Sequence, residues 1–325
     1  MKLLRNFCLA IGALLVLSST GGFFYAKYKF KAPPNQLVVP DGDFSFPFEW
    51  EASNEGMKLE PHAALLLPVT IPGCIKVFYM QFDLGAPYSL FYEGKLESIA
   101  EKVADLPIQE GENGQYLKNF SFMLGEMPVK AQEIKLLTHG NSEIDWQNAA
   151  SIEVIGTIGA DLIEKKVMLL NYSHKFMQLS DEVPASVVAK TTFTQMTFDE
   201  RRVILPAVIN HQETEVLFDS GSSAFELLTD KATWQELARK GAAVEVAEAN
   251  SWGNTLTIHS VVSDQNISFG ATELPLRQVH YIEGTSFMQQ ALMQFSGMAG
   301  MVGNKLFLDK VLVLDAQQLR FGIVE

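Results

Sequence analysis

The stretch VLFDSGSSAFELL, residues 216–228, places an aspartate, a glycine and three serines between two apolar runs. Aspartate, serine and glycine favour tight turns, because they form local hydrogen bonds and permit unusual backbone angles. An apolar strand that runs into Asp219-Ser220-Gly221-Ser222 therefore predicts a strand followed by a turn. The same loop would also suit half of a two-carboxylate active site, which needs a second aspartate from elsewhere in the chain.

A second copy of this loop lies at residues 82–86, where FDLGA matches the FDSGS of residues 218–222 in Phe, Asp and Gly. Two longer blocks repeat in the same order. NFSFMLGEMPVK (119–130) and NISFGATELPLR (266–277) share five of twelve residues, and GTIGADLIEKKVMLL (156–170) and GMVGNKLFLDKVLVL (300–314) share six of fifteen. Blocks that keep their order at a long, nearly constant spacing indicate two homologous lobes.

Most of the chain after residue 60 predicts β-structure. Runs rich in β-branched and aromatic residues, bounded by Gly, Pro, Asn and Asp, predict strands; they include VFYMQFDL, FSFML, KVMLLNY, VILPAVI, EVLFD, NISFG and KVLVLD. One short helix is expected in each lobe: Gly94 to Val103 in the first, and a segment capped by Asp230 and extending to Arg239 in the second. The predicted fold class is mostly β, with two lobes that each form a small barrel-like unit.

Composition and charge narrow the possible functions. The 325 residues are 47% hydrophobic, enough for a large core, and the formal net charge of −13 argues against a nucleic-acid surface. Cys8 lies in an N-terminal apolar segment and Cys74 in the globular part, so no disulfide is expected between them. The six histidines show no metal-binding spacing, and neither a metal nor another cofactor is expected.

The first 31 residues differ from the rest of the chain. An uncharged run from Phe7 to Ala26 is long enough to cross a bilayer as a helix. The same segment also fits a signal peptide, with an apolar core and small residues at a cleavage zone. We expect an uncleaved membrane anchor with the globular part exported, and secretion after cleavage is the alternative. The predicted organisation is an anchor or signal segment at 1–31, a linker and lead-in at 32–60, a first lobe at 61–190 and a second lobe at 191–325.

From residue 61 onward the sequence resembles the pepsin-like and retropepsin-like aspartic peptidases. Phe218 to Ser223 is similar to the family's hydrophobic-Asp-Thr/Ser-Gly-Ser loop, and Phe82 to Ala86 is similar to the same loop of the other lobe. Thr157-Ile158-Gly159 and Met301-Val302-Gly303 resemble the hydrophobic-hydrophobic-Gly element that follows each aspartate loop. The resemblance implies a two-lobed pepsin-like fold with a cleft between the lobes, and a monomer that cleaves extended peptides.

The resemblance also assigns catalysis to Asp83 and Asp219. Two carboxyl groups held within about 3 Å share one proton, because like charges so close together cannot both ionise easily. One group then acts as a base on a water molecule that attacks the peptide carbonyl. The other acts as an acid toward the developing oxyanion.

Four further residues support the predicted site. Gly85 and Gly221 allow each loop to bend tightly and turn backbone N–H groups toward the carboxylates. By resemblance, the Ser220 hydroxyl reaches across to the opposite loop and ties the lobes together. Ser222 is placed to hydrogen-bond the outer oxygen of Asp219.

Leu84 departs from the family pattern, because it takes the place of Ser220 in the first loop without a hydroxyl. One missing hydrogen bond is typically worth about 0.5–1.5 kcal/mol, which weakens a site without removing its reactive groups. An aspartic endopeptidase is therefore the favoured function, and a catalytically weak or inactive binding module of the same fold is the alternative. On this interpretation, Leu84→Thr raises stability or activity.

Two features of the sequence are left without an assigned role. Tyr116 lies near the position of a flap hairpin, but no Tyr-Gly flap signature accompanies it, and we do not assign it to the site. Residues 41–60 fit either an edge strand or a segment that lies over the cleft.

Overall fold

The computed structural model of the chain describes residues 32–54, 59–103, 106–112, 114–251, 254–283 and 298–325. Asn35–Glu325 forms one compact unit. The predicted anchor or signal segment lies outside the described residues. Within those residues, we find no helix that is long and apolar enough to cross a membrane.

Strands make up most of the described chain. Those up to residue 180 are β1 (Leu37–Val38), β2 (Phe44–Pro47), β3 (Glu49–Ser53), β4 (Glu60–Thr70), β5 (Phe78–Phe82), β6 (Leu90–Tyr92), β7 (Ile108–Gly111), β8 (Gly114–Leu124), β9 (Met127–Leu137), β10 (Val154–Ile158), β11 (Val167–Asn171) and β12 (Phe176–Ser180). The later strands are β13 (Thr191–Gln195), β14 (Thr197–Asp199), β15 (Arg202–Ile209), β16 (Gln212–Phe218), β17 (Leu227–Leu228), β18 (Glu245–Ser251), β19 (Asn254–Phe269), β20 (Thr272–Glu283), β21 (Gly300–Val302), β22 (Val311–Asp315) and β23 (Arg320–Val324). The helices are α1 (Glu93–Ala100), α2 (Ala185–Val188) and α3 (Lys231–Leu237), and the 3-10 turns are η1 (Ala160–Ile163), η2 (Ser220–Ser222) and η3 (Asn304–Phe307).

The first lobe is built around a sheet of nine described strands. The strand order is β1-β9-β6-β10-β5-β4-β8-β7, β3 pairs with β4, and a further pairing of β8 with β9 gives the sheet a barrel-like form. At its centre β5 runs antiparallel to β4 and parallel to β10, which places Phe82 beside Ile158. The loop that carries Asp83 therefore begins in the middle of the lobe, where neighbouring strands hold its backbone on both sides.

The second lobe repeats this arrangement in a sheet of eight described strands. The order is β14-β15-β16-β21-β17-β20-β19-β18, with an additional pairing of β15 and β19. Here β16 runs antiparallel to β15 and parallel to β21, which places Phe218 beside Val302. The loop that carries Asp219 thus begins at the position that corresponds to the Asp83 loop.

A third sheet joins the two lobes. Its six described strands follow the order β13-β23-β22-β11-β12-β2. The central pair, β11 and β22, comes from the two copies of one repeated block and aligns antiparallel with Leu169 opposite Val313. Both of these side chains are buried, so the sheet forms a shared apolar layer.

These sheets confirm the predicted mostly β, two-lobed fold. The helix of the second lobe begins as predicted, since Asp230 Oδ1 accepts the N–H groups of Ala232 (2.8 Å) and Thr233 (3.2 Å). It ends at Leu237 rather than Arg239, because the Arg239 N–H pairs with Val262 O in β19. In the first lobe α1 spans Glu93–Ala100 and ends three residues before the predicted Val103.

The described part of residues 41–60 forms edge strands. β2 pairs with β12 at the end of the shared sheet, and β3 pairs with β4. Phe46 and Phe48 are buried, and the Trp50 ring stacks on Tyr172. For Phe44 to Ser53, this packing favours edge strands among the two alternatives that the sequence left open. Where one lobe ends and the other begins along the chain stays a prediction, because strands of both lobes meet in the shared sheet.

Candidate active site

Each aspartate follows the last residue of a central strand. The Asp83 N–H donates to Ile158 O (2.9 Å), and the Asp219 N–H donates to Val302 O (3.0 Å). Both acceptors lie in the hydrophobic-hydrophobic-Gly segments of the repeated blocks. The two loops therefore start from equivalent backbone positions.

The loops bring the side chains of Asp83 and Asp219 into hydrogen-bond contact with each other. The Gly85 N–H donates to Asp83 Oδ1 (2.8 Å) and also to Asp219 Oδ1 (3.1 Å). The Gly221 N–H donates to Asp219 Oδ1 (2.8 Å). Because one amide contacts both carboxyl groups, the backbone of the loops fixes the pair.

Gly85 and Gly221 each pack directly against the aspartate of the other loop. A Cβ atom added at Gly85 would lie 2.6 Å from Asp219 Oδ1, and one added at Gly221 would lie closer still to Asp83 Oδ1. A larger residue at either position would push one carboxyl group away from the other. The glycines are thus required by the close approach of the loops as well as by the tight bend that the sequence predicts.

The pair is arranged to hold a proton near neutral pH. Burial, together with the charge of Asp219 and the hydrogen bond to it, raises the pKa of Asp83 to about 7. The backbone amides of Gly85 and Ala86 act in the opposite direction and are outweighed. Two such close carboxyl groups titrate as a unit that carries one proton over a wide pH range.

The Ser220 hydroxyl links the two loops, because it acts as both a hydrogen-bond acceptor and a donor. Its Oγ accepts the Leu84 N–H (2.9 Å) and donates to Phe82 O (3.0 Å). Leu84, at the corresponding position of the first loop, is 0% exposed and packs in the hydrophobic core. The link between the loops is therefore one-sided, as Leu84 predicts, but the single serine satisfies two backbone groups of the first loop.

The position after each glycine also differs between the loops. Ser222 Oγ donates to Asp219 Oδ2 (2.9 Å) and lies 3.0 Å from Met301 Sδ. The carboxylate is the stronger acceptor of the two. Ala86 has no side-chain donor, and its N–H bonds Asp83 O (3.2 Å). Asp219 is thus held by one more hydroxyl than Asp83.

Five supporting residues were not predicted from the sequence. Asn304 Nδ2 donates to Ser220 O (3.0 Å), and Asn304 Oδ1 accepts the Tyr172 hydroxyl (2.7 Å). Ser89, Asp161 and Arg201 support the first loop in a similar way. The sequence does contain a signal for Asn304 and Asp161. Each is a polar residue one or two positions after a glycine of the repeated block, where the two copies of the block differ.

A fourth repeated block was also missed. LLLPVTI (65–71) in β4 and VILPAVI (203–209) in β15 share three of seven residues. Each strand pairs antiparallel with the strand that leads into its aspartate loop. The match extends the duplication to β4 and β15, the strands that come before β5 and β16 in the sequence.

A cavity of about 980 Å³ adjoins the second aspartate loop. Its walls come from both lobes and include His62 of β4, Ser222 and Phe225 of the loop, and Val246 of β18. Leu59 and Val246, two of the exposed large apolar side chains, both line it. A volume of this size suits a ligand of several residues or a drug-sized molecule. Within the described residues, no group of three or more His, Cys, Asp or Glu side chains is arranged to hold a metal ion.

No protein-family model and no curated protein matches the chain. Among solved structures, the chain is similar to the aspartic proteinase from Irpex lacteus, with 11% sequence identity and a TM-score of 0.46. The match covers 87% of this chain and 97% of that chain. Identity and structural similarity at this level transfer neither a function nor the role of any residue.

Proposed function

We propose that the chain is an aspartic-type endopeptidase, in which Asp83 and Asp219 activate a water molecule for peptide hydrolysis. The observation that carries this proposal is the hydrogen-bonded carboxyl pair, formed where two repeated loops each press a glycine against the other loop's aspartate. Two adjacent carboxyl groups repel when both ionise, so they oppose folding at neutral pH. Strongly perturbed pairs of this kind are found preferentially at functional sites.

The surroundings of the two carboxyl groups differ, and they support different roles for Asp83 and Asp219 as acid and base. The raised pKa of Asp83 supports the proposal that Asp83 is the acid of the pair. Asp219 accepts hydrogen bonds from Gly85, Gly221 and the Ser222 hydroxyl, and it acts as the base. To act as the base, Asp219 must lie within hydrogen-bond reach of the water molecule that attacks.

The proposed reaction needs no covalent enzyme intermediate. Asp219 takes one proton from the water as the water oxygen bonds the peptide carbonyl carbon, and Asp83 gives its proton to the carbonyl oxygen. When the tetrahedral intermediate collapses, the C–N bond breaks and the amine nitrogen takes the proton held by Asp219. Asp83 recovers its proton from a hydroxyl of the intermediate, which becomes the new carboxyl group, and the pair is restored.

We propose an extended peptide or protein segment as the substrate. The cavity beside Ser222 has walls from both lobes, and its apolar side chains would cover substrate side chains. Among the described strands, β18 is the last of its sheet, and an extended peptide can add to such an edge as a further strand. Gly221 and Ser222 line this cavity, so a substrate bound there would lie beside the loop that carries Asp219.

A peptide-library digest tests this proposal. The whole chain is incubated with the library between pH 3 and pH 8, and cleavage is compared with that of Asp219→Asn. We expect the variant to lose at least about a hundredfold in activity, since acid–base groups contribute at this level. The matched control is Asp199→Asn, whose side chain is 70% exposed on a hairpin of the same lobe and should leave cleavage unchanged. Cleavage that persists in Asp219→Asn at every pH contradicts the proposal.

A binding module of the same fold is the second candidate function. Leu84 favours it, because its side chain, unlike that of Ser220, contributes no hydrogen bond to the contact between the loops. Such a module would hold an extended peptide in the same cavity without breaking it. Library peptides that bind the wild-type chain and are recovered intact over the whole pH range would support this candidate.

We also propose that the protein is a membrane-anchored monomer, held by residues 1–31 with the globular part exported. The uncharged run from Phe7 to Ala26 supports the anchor, and secretion after cleavage is the alternative. Mass spectrometry of the mature protein separates the two. An intact N-terminus in the membrane fraction supports the anchor, whereas a shortened chain in the soluble exported fraction contradicts it.

A further inference from the structure

The first aspartate loop lacks side-chain links that the second loop has. Ser220 of the second loop bonds the first loop at the Leu84 N–H and Phe82 O. Ser223 of the second loop also donates to His62 O (2.7 Å) in β4 of the first lobe. The Leu84 side chain has no polar atom and makes no corresponding bond. The second lobe therefore supplies the serine hydroxyl bonds at this contact, and Arg201 of the same lobe adds a further one.

Arg201 of the second lobe reaches the segment that follows Asp83. Its Nη1 donates to Pro87 O (3.0 Å), and its Nε donates to Glu164 Oε2 (3.1 Å). Its Nη2 lies 3.1 Å from the same oxygen of Glu164. Arg201 is only 6% exposed, and a guanidinium this buried is costly unless its acceptors are well placed. Since both acceptors belong to the first lobe, the contact joins the lobes beside the first loop.

The backbone at Arg201 is strained. Glu200 and Arg201 connect β14 to β15 with φ angles of 49° and 60°. In two-residue hairpin turns, these left-handed angles are normally taken by asparagine and glycine. Non-glycine residues persist there when surrounding contacts require it, and such sites cluster around functional groups. The turn aims the Arg201 side chain at the first lobe.

Asp161 holds the same segment from within the first lobe. Its Oδ2 accepts the Ser89 N–H (2.8 Å), and its Oδ1 accepts the Ser89 hydroxyl (2.7 Å). The Ser89 Oγ in turn accepts the Gly159 N–H (3.0 Å). Burial raises the pKa of Asp161 to about 6, while Ser89 and the charge of Arg201 oppose this rise. Residues 87–89 are thus fixed by Asp161 on one side and by Arg201 on the other.

The second loop has a corresponding support of different chemistry. Asn304 Nδ2 donates to Ser220 O (3.0 Å) and to Ser223 Oγ (3.0 Å). Tyr172 of the first lobe fixes this amide through its hydroxyl. A side chain of the opposite lobe therefore contributes to the support of each loop, through Asn304 in the case of the Asp219 loop. Tyr172 and Asn304 are neutral, whereas Arg201, which supports the Asp83 loop in addition to Ser220, is charged.

We propose that Arg201 is a positioning residue for Asp83, which holds the first loop, through Pro87 and Glu164, in the orientation that brings the two carboxyl groups together. Its effect on catalysis rests on the proposed peptidase function, but its effect on the carboxyl pair does not. The competing interpretation is an ion pair that stabilises the fold and leaves the pair unaffected.

Arg201→Met in the whole chain tests the proposal, with Arg202→Met as the matched control. Arg202 is the next residue, is half exposed, and pairs within the described residues with Asp199 of its own hairpin at 4.0 Å. Two quantities are measured for each folded variant: kcat and KM for peptide cleavage, and the pKa of Asp83 from the carbon-13 shift of its carboxyl group. Asp219 is the ionisable group that acts on Asp83 across the pair. The charge of Asp83 in turn adds to the effect of burial in raising the pKa of Tyr92 in β6.

We expect Arg201→Met to lower kcat about ten- to a hundredfold, as for the loss of a hydrogen bond to a charged group, with little change in KM. Arg202→Met should change kcat by less than about twofold, since exposed pairs contribute little. The pKa of Asp83 should fall toward its ordinary value, because the carboxyl groups move apart. Simple loss of a nearby positive charge would raise it instead, so the direction of the change separates positioning from electrostatics.

The outcomes separate this proposal from the proposed function. An Arg201→Met protein that folds and keeps both its kcat and the pKa of Asp83 overturns the positioning role, even if it unfolds more easily. If the wild-type chain shows no cleavage that depends on Asp219, the peptidase proposal fails and the titration of Asp83 alone decides the role of Arg201. If Arg201→Met does not fold, Arg201→Lys and Glu164→Gln are measured in the same way and decide it.

Discussion

The two aspartate loops reach the same backbone geometry with different side chains. In both, the aspartate N–H donates to a carbonyl of the hydrophobic-hydrophobic-Gly strand, and in both a glycine packs against the other aspartate. The second loop adds hydroxyl groups at Ser220 and Ser222, where the first loop has Leu84 and Ala86. This difference shows that the duplicated backbone is what brings the carboxyl groups together. It also shows that the side chains of one loop can supply hydrogen bonds to both loops.

The largest expected effect comes from the feature that the loops share. Gly85→Ala and Gly221→Ala each place a methyl group against the opposite carboxyl group. We expect each to lower cleavage by at least about a hundredfold, since a displacement of about 1 Å in a catalytic group has an effect of this size. Steady-state kinetics of the two variants measures this loss.

Gly241→Ala is the control for the glycine substitutions. Gly241 has a φ of +77° and open space around the added methyl group. Its replacement should therefore strain the backbone by about 1 kcal/mol without affecting cleavage. A Gly85→Ala or Gly221→Ala protein that stays fully active would mean that the close approach of the loops is not needed for the reaction.

The second prediction concerns the proton that the loops share. The pKa of Asp83 is raised to about 7 by burial and by Asp219, so the native state keeps a proton that the unfolded chain has released. The stability that this proton provides is present at low pH and is lost as the pH rises from about 4 through about 7. We expect the free energy of unfolding to fall by a few kcal/mol over this range, at about 1.4 kcal/mol for each unit of pKa difference.

Urea unfolding of the wild type, Asp83→Asn and Asp219→Asn between pH 4 and pH 8 measures this linkage. Both variants should lose less stability than the wild type as the pH rises, because each abolishes the repulsion between the carboxyl groups. Asp161, whose pKa is raised to about 6, adds a slope of the same sign in all three proteins, so differences between them isolate the pair. Equal slopes would show that Asp83 ionises as an ordinary carboxyl group.

The sequence predicts the parts of this site that local patterns encode. Asp83, Asp219 and their glycines stand out because the loop occurs twice, and the strands that hold them have clear apolar runs. Asp230 marks the start of α3, because a capping side chain bonds the backbone of its own helix. These features depend on neighbours within a few residues, or on a duplication that a single sequence displays.

The contacts between lobes leave no comparable signal. Arg201 meets Pro87 across 114 positions of the chain, and nothing near Arg201 in the sequence indicates that partner. The turn at Glu200 and Arg201 also lacks the asparagine or glycine that normally marks a tight hairpin. Likewise, the burial of Leu84 follows from packing in the folded lobe, whereas its sequence position indicates only the missing hydroxyl.

The third prediction tests whether Ser220 really serves both loops. Ser220→Ala removes the hydroxyl that bonds the Leu84 N–H and Phe82 O in a fully buried place. We expect the free energy of unfolding to fall by about 1–3 kcal/mol, as for other buried groups that lose a partner. Ser222→Ala is the control, since its hydroxyl bonds Asp219 at a partly exposed position and should affect stability less. Equal losses in urea unfolding would argue against the special role of Ser220.

The smallest expected effect comes from making the loops alike with Leu84→Thr. Leu84 is 0% exposed, so threonine removes apolar volume from the core, at a cost of about 2 kcal/mol or more. A new hydrogen bond from the threonine hydroxyl would stabilise the folded state by about 0.5–1.5 kcal/mol. The expected net result is a loss of about 1 kcal/mol in urea unfolding, which reverses the gain in stability that the sequence alone suggests.

Leu84→Val is the matched control, because valine removes nearly the same volume without adding a hydroxyl. If Leu84→Thr is the more stable of the two, the hydroxyl has found a partner in the second loop, as Ser220 does in the first. If Leu84→Val is the more stable, the added hydroxyl is buried without a partner, which carries its own cost. In that case Ser220 already makes the useful hydrogen bonds between the loops, and the leucine is the better residue for a loop that both Ser220 and Arg201 of the opposite lobe support.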